Sequence, residues 1–230
     1  MPDLNPKQTL LSILHGVKRF KTEKFPERKE LFSKLANGQE PKTLFITCAD
    51  SRIHPELLTD QDPGNLFVLR NIGNIIPAYG NAMGGVTSAI EYAVCALKVS
   101  TIIVCGHSNC GAMDALIHPE KTDSMPAVKS WLKFAATAHA VTDALTATDV
   151  GPENIQTLTE HNVLLQLQHL RTHPSIAAAL ARNEIALQGW YYDIPNGQVY
   201  ILNEETRHDM TVSQAIEILQ NQVDERRLQE

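Results

Sequence analysis

The run Thr43-Leu-Phe-Ile-Thr-Cys48, followed directly by Ala-Asp-Ser-Arg52, decides how this chain of 230 residues is read. Apolar and β-branched side chains fill the run between Pro41 and a polar loop, the pattern of a strand buried on both faces. Leu66-Phe-Val-Leu-Arg70, entered through an Asp62-Pro-Gly turn, predicts a second strand, and Thr101-Ile-Ile-Val-Cys105 a third. Between these two, Val86, Ile90, Ala93, Val94 and Leu97 fall at helical spacing. Strand, helix and strand in that order imply a right-handed parallel crossover. The fold class is therefore α/β, a mostly parallel central sheet flanked by helices.

Toward the N-terminus, Leu10, Leu11, Leu14, Val17 and Lys18 have helical spacing, and a second helical stretch runs from Pro26 to Ala36 and stops at Asn37-Gly38. Residues 1–38 thus form a helical arm on a single domain spanning 1–230. Beyond the third strand the chain reads as largely helical: a first turn from Cys110, a stretch from Pro126 to about Ala147, and another from Pro152 to about Thr172. Ala186 to Ile194 and Gln198 to Leu202, joined across Pro195-Asn-Gly197, predict a late strand and its hairpin partner. Val212 to about Val223 predicts a terminal amphipathic helix.

Composition narrows the function. With 20 basic and 26 acidic side chains the formal charge is −6, and no basic run stands out, which argues against nucleic acid as a partner. No apolar run approaches the ~20 residues of a membrane span, and Met1-Pro-Asp-Leu-Asn lacks the layout of a signal peptide. Four cysteines, at 48, 95, 105 and 110, are too few for a disulfide framework and suit a reducing compartment. The expectation is a cytoplasmic protein.

Two strands end in residues that packing does not explain. The first runs into Cys48-Ala-Asp50-Ser-Arg52 and the third into Cys105-Gly-His107-Ser-Asn-Cys110-Gly111. Open α/β sheets bind ligands at the carboxyl ends of their strands. If the two strands are neighbours, Cys48, His107 and Cys110 meet, and two thiolates with one imidazole suit Zn²⁺ while leaving a fourth position for water. Burying Asp50 and Arg52 without purpose would cost several kcal/mol that their pairing only partly offsets. Cys95 and Cys105 have no such company and are assigned to core filling. Cys105 and Cys110 lack the Cys-x-x-Cys spacing of a redox pair.

Cys-Ala-Asp-Ser-Arg at 48–52 with Gly-His-Ser-Asn-Cys-Gly at 106–111 resembles the two signatures of the β-class carbonic anhydrases, of the plant-like or cyanobacterial-like type. The likeness extends through Asn-Ile-Gly-Asn-Ile-Ile-Pro at 71–77, Ala-Ile-Glu-Tyr-Ala at 89–93 and Gly189-Trp-Tyr-Tyr-Asp193. The resemblance implies one Zn²⁺ per subunit on Cys48, His107 and Cys110. It further implies reversible hydration of carbon dioxide to bicarbonate by zinc-bound hydroxide, oriented by a catalytic Asp50–Arg52 dyad. It places Gln39, Phe67, Ile72, Tyr92 and Gly111 around the substrate, with Gln39 reaching across a dimer interface and Ile72 standing where valine is common. In the bicarbonate-regulated bacterial type a tryptophan and a glycine stand where this chain has Phe45 and Thr47, so an open site with Asp50 paired to Arg52 is expected. Some members carry a proton-shuttling histidine where this chain has Ala96, which leaves the shuttle unassigned and His54 only loosely placed. The arm, the leucine-rich stretch Leu158–Leu170 and Gln39 point to a homo-oligomer, at least a dimer. A zinc-binding relative without catalysis and a hydrolase of carbonyl sulfide or carbon disulfide are the alternative readings.

Overall fold

The computed structural model describes residues 5–145, 152–204 and 209–227. The chain divides into two compact units, Met1–Gln39 and Glu40–Glu230. In the first, α1 (Pro6–Arg19) begins at Asn5, whose side chain accepts from the Lys7 and Gln8 amides while Gln8 reaches back to the Asn5 amide. This reciprocal cap satisfies amides that a helix start leaves without partners. A widened turn at Phe20–Lys24 and a short helical turn at Phe25–Glu27 lead to α2 (Lys29–Leu35). The rings of Phe20, Phe25 and Phe32 gather with centroids 5.4 to 6.2 Å apart. Leu10, Leu11, Ile13, Leu14 and Val17 are exposed.

The second unit is built on a six-stranded sheet: β1 (Thr43–Cys48), β2 (Leu66–Asn71), β3 (Thr101–His107), β4 (Ala186–Asp193), β5 (Gln198–Leu202) and β6 (Met210–Thr211), in the order β2-β1-β3-β4-β5-β6. The first four strands pair in parallel, and the β4–β5 and β5–β6 pairings are antiparallel. The chain steps from β1 outward to β2, then crosses back over β1 to β3. That reversal opens a crevice at the carboxyl ends of β1 and β3. Thr47 is level with Cys105, so Cys48 stands beside Gly106 and next to the level of His107.

Helices α3 (Pro55–Leu58), α4 (Gly85–Glu91), α5 (Gly111–Ile117), α6 (Pro126–Leu132), α7 (Ala136–Leu145), α8 (Pro152–Arg171), α9 (Pro174–Ala181) and α10 (Val212–Arg227) surround the sheet. One face of the sheet buries Leu44, Ile46, Ile102 and Val104 against Ile90, Val163 and Leu167; the other buries Phe45, Ile103 and Cys105 beside Trp190 of the same sheet and against Leu58. Both faces are covered, which is why β1 and β3 read as continuous apolar runs. Glycines let α8 lie close: a Cβ at Gly106 would come within 2.7 Å of Thr159 Cγ2, and one at Gly189 within 2.9 Å of Val163 Cγ1.

Several expectations need correction. β3 continues past Cys105 to His107, because its ladder with β4 runs on to the pair His107 and Tyr192. The stretch from Pro126 is two helices joined by a tight turn at Lys133–Ala135, and its predicted end at Ala147 lies outside the described residues. The single-turn α3 and the alanine-rich α9 were not anticipated. Cys95 is exposed, not core. The buried face of that helix carries Ile90, Ala93 and Val94, and the widened turn at Tyr92–Ala96 leaves position 95 on the other side.

Candidate metal centre

Cys48 ends β1, His107 ends β3, and Cys110 closes the short loop that follows, immediately before α5. Asn109 takes the left-handed conformation there, with φ 52°, which turns the chain back toward the strand ends. All three side chains are buried, and their sulfur and nitrogen ligand atoms lie within 4.8 Å of one another.

The imidazole shows how this cluster is to be used. His107 Nδ1 lies 2.9 Å from the Ser108 carbonyl oxygen, which can only accept, so Nδ1 carries the hydrogen and Nε2 presents a lone pair. Nε2 is buried without a hydrogen-bond partner. An orphaned buried nitrogen beside two sulfurs, with its tautomer fixed by a backbone carbonyl, fits a borderline-soft divalent metal such as Zn²⁺. The donor set is complete for three ligands of a tetrahedral ion.

The thiols are supported by backbone amides. Gly73 N–H donates to Cys48 Sγ at 3.4 Å, and the Ala112 and Met113 amides at the start of α5 face Cys110. The neighbouring Cys110 thiol pulls the Cys48 pKa down to about 4, with burial opposing and His107 assisting. Cys110 is pushed upward by Cys48 in turn, and burial adds to the rise.

Asp50 stands at the rim, with Oδ2 3.8 Å from His107 Nε2. Arg52 donates from Nε to Oδ1 at 2.9 Å, from a terminal nitrogen to Oδ2 at 2.8 Å, and from its own amide to Oδ1 at 2.9 Å. These bonds hold the Asp50 carboxyl well below the usual carboxylate range. The same guanidinium nitrogen that meets Oδ2 also donates to the Asn109 carbonyl at 3.1 Å, tying the loop after β1 to the loop after β3.

Other residues from the sequence reading are placed less centrally. Gly111 opens α5 beside Cys110, and Ile72, exposed, precedes Gly73 and accepts from Trp131 Nε1 at 2.8 Å through its carbonyl. Phe67 is level with Leu44, four residues up β2 from Asn71 and so about 13 Å along the strand. There its ring meets Tyr92, centroids 6.0 Å apart, and neither joins the cluster. Gln39 belongs to the first unit. His54 caps α3 through Nδ1, which accepts from the Leu57 amide.

Three contributors escaped the sequence reading. Arg70, a charge ending an apolar strand, donates to the Asp50 and Ile53 carbonyls at 2.6 and 3.0 Å and so holds the loop carrying the dyad. Asn71 both donates to and accepts from Ile75, closing the turn that presents Gly73. Gly73 itself has φ 75°, and a Cβ there would lie 3.0 Å from the Ala112 Cβ. The Arg70 signal was legible; the others depend on contacts.

Residues 43–199 match the family model described as carbonic anhydrase. A carbonic anhydrase of Pseudomonas aeruginosa is 45% identical over 206 residues, covering 90% of this chain and 93% of that protein. The solved structure of the β-carbonic anhydrase CcaA superposes with a TM-score of 0.85 at 38% identity, over 88% of this chain and 99% of that one. One of the two tetrameric β-carbonic anhydrases of Sordaria macrospora gives 0.73 at 30% identity, over 85% and 97%.

Proposed function

The chain belongs to the β-class carbonic anhydrases, and we propose that it interconverts carbon dioxide and bicarbonate at a Zn²⁺ ion held by Cys48, His107 and Cys110, with Asp50 and Arg52 as its catalytic dyad. The observation that carries this reading is the His107 Nε2 lone pair, buried without a partner among two sulfurs. Zn²⁺ held there would supply the Lewis acidity that the side chains lack, lowering the pKa of water from 15.7 to about 7.

The chain's own groups do the rest. Two thiolates balance the 2+ charge of the ion, and the Gly73, Ala112 and Met113 amides temper their basicity. Asp50 remains ionised, because Arg52 grips both of its oxygens. Its Oδ2, on the His107 side, would accept the hydrogen bond of the hydroxide that such an ion supplies and so turn an oxygen lone pair toward the carbon of the substrate. The fork of Arg52 fixes that carboxylate in place, a role a lysine cannot fill. Gln39, Phe67, Ile72, Tyr92 and Gly111 enter as the substrate pocket by resemblance to the family. Gly111 and Ile72 adjoin Cys110 and Gly73 of the cluster, while Gln39 enters through assembly with a second copy.

The Sordaria relative described as tetrameric supports a homo-oligomer, and we take this protein to be at least a dimer. Among the described residues no helix is long and apolar enough to cross a membrane, which is compatible with the cytoplasmic location proposed. The test is stopped-flow hydration of carbon dioxide by the zinc-loaded protein beside Cys48→Ser. Activity that follows bound zinc and vanishes in the variant supports the reading. Zinc-loaded protein with no rate above buffer overturns it.

A further inference from the structure

The turn that presents Gly73 to Cys48 is held by side chains from a helix some 90 residues away in sequence. Asn162 and Gln166 lie one turn apart on α8 and are both fully buried. Asn162 Nδ2 donates to the Gly73 carbonyl at 3.0 Å, and its Oδ1 accepts from Gln166 Nε2 at 2.8 Å. Gln166 Oε1 accepts from the Ile76 amide at 2.7 Å, and His169 Nδ1, one turn further, donates to the Ile76 carbonyl at 2.7 Å. Each amide nitrogen in this chain has an acceptor, and the chain reaches the carbonyl of the residue whose N–H points to Cys48 Sγ.

Two buried amides beside Val163 and Leu167 are costly unless fully bonded, and apolar side chains would serve the helix packing as well. Their bonds go to the backbone of one turn, to each other and to His169 of the same helix, whose Nδ1 lies 3.2 Å from Gln166 Oε1, and not to the sheet. We infer that Asn162 and Gln166 are positioning residues of the metal centre: by anchoring the Gly73 carbonyl, on the peptide after the one whose N–H meets Cys48, they fix Gly73 so that this N–H stays on the thiolate. The inference rests on the zinc reading above. A thiolate that accepts an N–H bond donates less charge to its metal, so α8 sets the electronic character of the site without touching it.

Cobalt(II) is the probe, because its sulfur-to-metal charge-transfer band reports thiolate donation directly. In Asn162→Leu the band should move to longer wavelength, and release of cobalt to a chelator should accelerate about tenfold. Leu170→Ala, on the same helix but outside this hydrogen-bond chain, should lose stability and leave the band where it was. Should Asn162→Leu fail to fold, Asn162→Asp keeps an acceptor for Gln166 Nε2 and loses only the bond to the Gly73 carbonyl. The unmodified protein loaded with cadmium-113 gives a reading free of any variant: the Gly73 amide proton should show scalar coupling to the metal through the sulfur. A band and release rate unchanged in the variants, or no such coupling, overturns the inference while leaving the zinc site standing. A protein that takes up neither metal overturns the zinc reading, and this inference with it.

Discussion

The guanidinium of Arg52 lies along the carboxylate of Asp50, with Nε 2.9 Å from Oδ1 and a terminal nitrogen 2.8 Å from Oδ2, while the Arg52 amide adds a third bond. The two residues are separated by one serine, so the loop after β1 folds the dyad from within itself. The Arg52 side chain is 47% exposed against 17% for Asp50. A solvated ion pair of this kind contributes little to stability. Its consequence is orientation: Asp50 cannot rotate toward His107 without surrendering the fork.

Arg52→Lys keeps the charge and loses the fork. The expected result is a fall in kcat/KM of at least about tenfold, the scale seen when a partner that fixes a reacting group is removed, with the thermal midpoint almost unchanged. Steady-state hydration assays beside a thermal melt check both halves. Activity within twofold of the unmodified enzyme would detach Arg52 from the chemistry.

The four cysteines should separate by reactivity. In the zinc-loaded protein only the exposed Cys95 is expected to alkylate readily. After chelation Cys48 should join it, since its thiolate is formed above a pKa of about 4, and its rate should stay flat between about pH 6 and about pH 8. Cys105, pushed up to about 12 by burial, should react only on unfolding. Peptide mapping after timed alkylation reads each site, and a Cys48 that labels equally with and without zinc would contradict the ligand assignment.

The contact of α8 with the sheet should be sensitive to a single methyl. Gly189→Ala places a Cβ 2.9 Å from Val163 Cγ1 and 3.1 Å from Leu167 Cδ1, a clash expected to cost about 1 to 3 kcal/mol in urea unfolding. Combining it with Val163→Ala should recover part of that loss, because the second change vacates the space the first one fills. Strict additivity of the two losses would show that α8 accommodates the methyl elsewhere.

Tyr191 contributes to the alkaline limb of stability. Burial raises its pKa from 10.0 to about 12, so the folded chain retains a proton that the unfolded chain releases above pH 10. Its contribution is complete below about pH 10 and is lost as pH rises toward 12, on top of the loss that the buried Cys105 thiol begins from its ordinary 9.0. Tyr191→Phe should lose about 1 kcal/mol near pH 8 with its bond to Ser108, and then decline less steeply through the alkaline window. Urea midpoints at two pH values test this, and equal alkaline losses in both proteins would refute it.

Cys48, His107 and Cys110 were legible because apolar strands announce their own ends, and chemistry placed there stands out against the run before it. That β2 and β3 run parallel followed from the crossover between them; that β1 lies between the two did not. What escaped depends on distant contacts. The pairing of Asn162 with Gly73 joins two positions 89 residues apart, and nothing in the leucine-rich run from Leu158 marks that asparagine as anything but a polar interruption. Cys95 was misplaced for a local reason: the spacing of Ile90, Ala93 and Val94 already put it on the far face. Phe67 carries a family resemblance, yet the register of β2 with β1 sets it well up the strand from Cys48, where its ring meets Tyr92.

The central claim is the ligand set, and X-ray absorption at the zinc edge of the purified protein tests it most directly. The account predicts two sulfur scatterers at about 2.3 Å and two lighter ligands at about 2.0 to 2.2 Å, one of them imidazole, with one sulfur lost in Cys110→Ser. Four sulfurs, no sulfur, or a spectrum indifferent to that substitution would contradict it.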